Sequence, residues 1–265
     1  MRVDAVIVST DDNPIYSQFW PLIAAAWCRV GIQPVLAYIG EPCIEICSHG
    51  PVAPFPRIKG IPSGNLAKVS RICLALQFAD KCAMLSDLDM LPLQSKYFLN
   101  AAKSLKSKDI LNLSADAYDE RHMHKYPICY WIGRGDVWRE IFNPKGLTWI
   151  ELVSSWCNKP KKFDEKEDPS NIVFSDESLV RKIMADWSGS SSRFRRGKRG
   201  WRKSMAKWRI NRNFWEWDKS ALKAGHYIDA HMPRPMDKHI YDLSLLVDQL
   251  KLPLCLLEKK ESYNA

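Results

Sequence analysis

The sequence predicts an α/β fold: a mostly parallel sheet with helices on both faces, in a single domain. Two observations carry this. Short, nearly continuous apolar runs such as "AVIV", "PVLAYI" and "CAML" are too brief for helices and match strands buried on both faces. Between them lie longer segments whose apolar residues recur at spacings of three and four, the period of an amphipathic helix. Strands alternating with helices imply βαβ units and a doubly wound sheet, in which ligands sit outside the carboxyl ends of the strands.

In order, "DAVIVST" (4–10) reads as a buried first strand, and a helix follows over about 15–30 with Trp20, Ile23, Ala24 and Trp27 on one face. "QPVLAYIG" (33–40) is a second strand ending in glycine. Residues 41–64, rich in proline and glycine, read as a long connection. A helix over about 65–78 leads into the "CAML" strand. Then come a helix near 95–105, strands "DILNLS" (109–114) and "ICYWI" (128–132), and the segment "GDVWREIF". Helices are expected over about 148–157, 176–187 and 237–250. Residues 158–170 read as a polar surface loop and 188–200 as a mobile, low-complexity stretch. The chain, 1–265, is expected to form a single domain with two halves, about 1–115 and about 116–250.

Of the 265 residues, 46% are hydrophobic and 26% charged, which excludes overall disorder. The longest apolar run, Leu22 to Cys28, falls far short of the roughly 20 residues that cross a bilayer. No signal peptide is read at the N-terminus, so a cytoplasmic protein without a transmembrane segment, or a catalytic domain without its anchor, is expected. The eight cysteines include no C-x-x-C, and Cys28, Cys73, Cys82 and Cys255 lie in apolar stretches, as buried free thiols do. The net charge of +9 is local: residues 193–209 hold nine Lys or Arg and no acid, and the remaining 30 cations equal the 30 acids.

"CAMLSDLDMLPL" (82–93) ends an apolar strand in Asp87 and Asp89, then returns at once to apolar residues. A buried carboxylate needs a partner. Taken alone, "DLD" is either a polar turn or a cation site, since two converging carboxylates suit a hard divalent ion with positions left open for phosphate. Its place at a ligand-binding sheet edge favours the cation.

"GNLAKVSRICLALQFADKCAMLSDLDMLPL" resembles the donor-site segment of metal-dependent glycosyltransferases of the GT-A fold, whose D-x-D motif binds Mn²⁺ or Mg²⁺ and through it a nucleotide sugar's diphosphate. Within that class the chain looks most like the small glycosyltransferase domains of large algal DNA viruses. "STDDN", "YPICYWIGRG", "SDESL" and "IDAHMPRP" fall in the expected order across most of residues 4 to 236. The resemblance implies that Asp89 binds the metal directly and that Asp87 reaches it through water or contacts the ribose. His231 would be the third ligand, the competing reading being a packed loop histidine. It implies Ser9, Thr10 and Asp11 at the nucleotide base and ribose, with Asp12 and Asn13 making the turn into the helix. Lys68 and Arg71, on one helix face, would meet the diphosphate or hold Asp87. Asp176 and Glu177 are the candidate bases, and equally suit a helix first turn capped by Ser175. Arg209, Arg212 and Arg234 are candidate phosphate contacts. The implied reaction is hexosyl or deoxyhexosyl transfer from a nucleotide sugar, with UDP favoured and GDP possible, to a glycan hydroxyl. The setting would be viral glycan synthesis in the host cytoplasm.

Residues 193–209, with Trp201 and Trp208 among the cations, also suit nucleic acid, but no recognised binding motif accompanies them, so nucleic acid is disfavoured. His122 and His124 read as an exposed loop or as acceptor-site residues, and Asp116 and Tyr118 as sugar or acceptor contacts. A metal-dependent nucleotidyltransferase is the alternative enzyme. It is disfavoured because Gly64 is followed by Asn65 and lies far upstream of Asp87.

Overall fold

Alternation along the strands divides the core in two. In β1 (Ala5–Thr10), Val6 and Val8 enter one apolar layer and Ile7 the other. In β2 (Gln33–Ile39), Leu36 and Tyr38 join the first layer while Ala37 and Ile39 join the second. Strands apolar on both faces are satisfied only between two layers of helix.

The computed structural model describes residues 1–117, 125–157, 175–197 and 209–257. The remaining strands of the main sheet are β3 (Val52–Phe55), β4 (Cys82–Leu85), β6 (Ile110–Asn112), β7 (Trp131–Arg134) and β8 (Phe194–Arg196). Their order is β3-β2-β1-β4-β7-β6-β8. Pairings from β3 to β4 are parallel, and so is β6 with β8; β7 runs antiparallel to both its neighbours. The result is a mixed α/β domain with a mostly parallel sheet.

The helices are α1 (Pro14–Ser17), α2 (Trp20–Val30), α3 (Ile44–Cys47), α4 (Ser63–Ala75), α5 (Ser95–Ala101), α6 (Gly135–Phe142), α7 (Trp149–Cys157), α8 (Asp176–Asp186), α9 (Ser190–Arg193), α10 (Lys219–Lys223) and α11 (Ile240–Gln249). α2, α5 and α11 fill the first layer, where the rings of Trp27 and Phe98 meet edge-on at 4.8 Å. α4, α6, α7 and α8 fill the second around Trp131 and Trp138. Gly135 opens α6 with its backbone against the 78–79 turn; a Cβ there would lie 2.5 Å from the Ala79 nitrogen, so only glycine fits.

A second, small sheet decides the site. β5 (Met90–Pro92) begins directly after Asp89 and pairs antiparallel with β10 (Asp229–His231), which pairs parallel with β9 (Arg209–Ile210). The apolar residues after the aspartates are therefore a strand.

Several expectations are corrected. The helix over 15–30 is broken before α2, because Pro21 lacks an N–H and crowds the preceding turn. The 41–64 connection contains α3 and the edge strand β3, where Pro54 is tolerated. "ICYWI" yields a strand shifted to Trp131–Arg134 and reversed in direction. Residues 190–196 are ordered as α9 and β8 rather than as a mobile stretch. All eight cysteines are free, yet Cys28 and Cys255 are exposed; Cys73, Cys82 and Cys129 are the buried ones. Among the described residues no helix is long and apolar enough to cross a membrane.

Candidate functional site

β1 and β4 are parallel neighbours, so their carboxyl ends open side by side into a cleft of about 470 Å³. Ser9, Thr10 and Asp11 leave β1 into it. Asp11 is fixed there, accepting from the Ser63 hydroxyl at 2.7 Å and from the Asn13 amide at 3.2 Å. Asn13 caps α1 by accepting from the Ile15 amide at 3.0 Å, and Asp12 turns out to an exposed pair with Arg57, so both make the turn as expected.

α4 lies over the same strand ends and presents Lys68 and Arg71 to the cleft, while Gly64 and Ala67 keep that wall low. Arg71 is buried. It donates to the Ser86 carbonyl at 3.0 Å, to the Asp87 carboxylate, and to Asp176 Oδ2 at 2.9 Å. Burial works against its charge, but Asp87 and Asp176 outweigh burial and hold the guanidinium protonated well above its ordinary range. One cation thus ties the end of β4 to the start of α8. Asp176 and Glu177 open that helix inside the cleft, and Ser175 caps it through the Ser178 amide.

Asp89 is served from the far end of the chain. β10 places His231 opposite Met90, and His231 Nε2 lies 3.3 Å from Asp89 Oδ2. Arg212 donates to the same oxygen at 3.1 Å, and Arg234 Nε approaches it at 3.6 Å. Burial alone would raise the Asp89 pKa, but His231, Arg234 and Arg212 together lower it. The crowding of cations also tells on Arg212, which burial and Arg234 push below its ordinary value. Arg234 stacks 4.8 Å over the Tyr16 ring and donates to its hydroxyl.

The cleft therefore collects Ser9, Thr10, Asp11, Lys68, Arg71, Asp87, Asp89, Asp176, Glu177, Arg212, His231 and Arg234. Arg209 is not among its lining. Its guanidinium forks onto buried Asp229 at 2.7 and 2.8 Å, because β9 lies beside β10 and puts the two residues in register. Asp116 is half-buried and also outside the lining. Tyr118, His122, His124, Trp201 and Trp208 lie outside the described residues. Sequence reasoning missed Tyr16, Ser63 and Ile128. Tyr16 sits in the first turn of the helix after β1, a position that could have flagged it, and Ser63 reaches the site only by donating to Asp11.

Among the described residues no group of three or more His, Cys, Asp and Glu side chains is placed to hold a metal ion. The Asp89–His231 pair has the spacing of two ligands on one ion, since ligands about 2.1 Å from a metal and at right angles stand about 3 Å apart. Asp87, by contrast, faces Arg71.

No family model matches the chain, and no curated protein does. Solved structures do. The galactosyltransferase LgtC, in complex with donor and acceptor sugar analogs, is 10% identical over 93% of this chain and 95% of that one, with a TM-score of 0.48. The apo-form glycosyltransferase GlyE of Streptococcus pneumoniae is 12% identical over 96% of this chain and 54% of that one, with a TM-score of 0.44. The 4-diphosphocytidyl-2C-methyl-D-erythritol synthase is 8% identical over 69% of this chain and 99% of that one, with a TM-score of 0.35.

Proposed function

We propose that the protein is a metal-dependent glycosyltransferase that moves a hexose or deoxyhexose from a nucleotide diphosphate sugar, UDP favoured and GDP possible, to a glycan hydroxyl. The observation that carries this reading is the pairing within one cleft of two strand-end aspartates with separate cationic partners, Arg71 for Asp87 and Arg212, Arg234 and His231 for Asp89. With Asp11, Asp87, Asp89, Asp176 and Glu177 facing Lys68, Arg71, Arg212 and Arg234, the cleft would take a diphosphate together with a divalent cation, and it has the size of a small-molecule site.

In this reading Ser9, Thr10 and Asp11 contact the base and ribose, while Lys68, Arg212 and Arg234 contact the diphosphate as charge-assisted donors. Asp89 and His231 would hold Mn²⁺ or Mg²⁺, with Asp87 reaching it through water or contacting the ribose. A mixed oxygen and nitrogen donor set suits Mn²⁺ at least as well as Mg²⁺. When bound, the ion supplies positive charge to the leaving diphosphate. Asp176 and Glu177 are positioned to take the acceptor hydroxyl's proton. One oxygen of Asp176 is held by Arg71, which fixes that carboxylate within the cleft.

The test is calorimetric titration of the full chain with UDP and with GDP, in Mn²⁺ and in EDTA. Binding that requires Mn²⁺ is expected; equal affinity in EDTA would remove the metal from the reading, and no binding of either nucleotide would remove the reading itself. Turnover is then sought across UDP-, GDP- and CDP-sugars.

A further inference from the structure

A second groove of about 370 Å³ is formed by Trp215, Glu216 and Trp217 on one side and by Asp242 and Leu245 of α11 on the other. Half of the large hydrophobic side chains exposed among the described residues fall in these two segments: Phe214, Ile240, Tyr241 and Leu245. Phe214 and Tyr241 are 73% and 74% exposed. Tyr241 and Leu245 are one helical turn apart and share a face.

Trp215 is held there at a cost. Its φ of +44° is left-handed, a conformation that bulky side chains rarely adopt, and its Nε1 is buried without a hydrogen-bond partner among the described residues. Packing of one indole face against the core offsets part of this. Core packing is available to a tryptophan in ordinary backbone conformations, so it does not account for the left-handed turn. Strain of this kind gathers where a side chain serves a ligand.

The lining identifies the ligand class. Among the described residues it offers indole and leucine side chains and carboxylate acceptors, and no cation. A pyranose has an apolar C–H face and a rim of hydroxyl donors, which matches this composition. An anionic ligand would be repelled by Glu216 and Asp242. A lipid surface recruits Lys and Arg, which the lining lacks.

A hollow lined in part by Tyr16, Arg212, Asn213 and Arg234 shares three of those residues with the cleft, and Asn213 adjoins Phe214 in the chain. One segment, residues 212–217, thus contributes to the cleft, the hollow and the groove in turn. We propose that it binds a neutral oligosaccharide, the distal part of the acceptor glycan; the word acceptor rests on the transferase reading above, the saccharide chemistry does not.

The test uses the full chain on an array of neutral oligosaccharides (gluco-, galacto-, manno- and xylo- series), followed by affinity measurement on the best binder. Trp217→Ala and Asp242→Asn are compared with wild type, with thermal unfolding as a check on folding and Mn²⁺–UDP titration as a control. Asp242→Asn is the safeguard should Trp217→Ala fail to fold. Binding of at least one neutral glycan, weakened tenfold or more by either folded variant with UDP affinity unchanged, is the expected result. Absence of neutral-glycan binding, or equal binding by the variants, overturns the proposal. So does light scattering that shows a wild-type dimer and monomeric variants, which would assign the face to a second copy. Glycan binding lost in the variants while no nucleotide binds would uphold the groove and sink the transferase reading alone.

Discussion

The imidazole of His231 and the carboxylate of Asp89 meet at 3.3 Å although 142 positions separate them in the chain. The register of β10 on β5 fixes that meeting, and the same oxygen also receives Arg212. If the pair shares an ion, His231→Ala should lower Mn²⁺ affinity in the presence of nucleotide by about tenfold or more, and Mg²⁺ affinity by less, because loss of a nitrogen ligand matters more to Mn²⁺. Calorimetry with each ion checks this. Equal losses for the two ions would make the histidine a hydrogen-bonding partner of Asp89.

Arg71 should matter more to stability than any exposed arginine. Arg71→Met leaves Asp87 and Asp176 without their shared cation, at a cost of about 3–5 kcal/mol. Arg71→Lys should restore the charge but not the fork between two carboxylates, and so recover only part of the loss. Urea unfolding of the three proteins gives the order; a neutral Arg71→Met would show that the pairing is dispensable.

The Arg209–Asp229 pair is buried and bidentate, so its members should be interdependent. Asp229→Leu alone strands a buried guanidinium and should cost about 3–5 kcal/mol, whereas Arg209→Met with Asp229→Leu should recover most of it. Nucleotide affinity in the double variant separates roles: if it is unchanged, Arg209 serves the small sheet; a large fall would return it to phosphate binding.

Acid should loosen the joint between α6 and α9. The two Arg193 hydrogen bonds are the main cause that holds Glu140 below the usual carboxylate range, with the Trp187 indole adding to them. A carboxylate whose folded pKa is depressed contributes stability above its unfolded value of about 4.3, and that contribution is lost as pH falls through the folded value. Glu140→Gln should therefore lower the melting temperature modestly near neutrality and converge with wild type in acid. The effect is small because the pair is partly solvated. Parallel melting curves offset equally at every pH would count against it.

What the sequence disclosed follows from burial. β1, β2 and β4 are buried on both faces, and their unbroken apolar runs were legible. α4 and α8 carried a regular period and, for α8, a serine cap. β3 was hidden by Pro54, and β8 by its arginines, which an edge strand can turn to solvent. The direction of β7 was not readable, because alternation does not record which way a strand runs. The cleft residues near each strand end were found from their positions. The pairing of Arg209 with Asp229 was not legible because two-residue β9 leaves no periodic signal, and without β9 nothing tells Arg209 from Arg212.

The small sheet draws on residues 90–92, 209–210 and 229–231, so the chain just after Asp89 is joined to its C-terminal part by ladders that span long stretches of sequence. Such closures form late and open first, because their entropy is spent before their contacts are gained. A molecule bound across the cleft would act as a clasp. Any ligand that touches both Asp89 and Arg234, held at a hundredfold excess over its dissociation constant, would add about 2.7 kcal/mol against opening. Tryptic cuts after Arg212 should then become rarer in step with occupancy, and the chain's far end would report on whether the site is full.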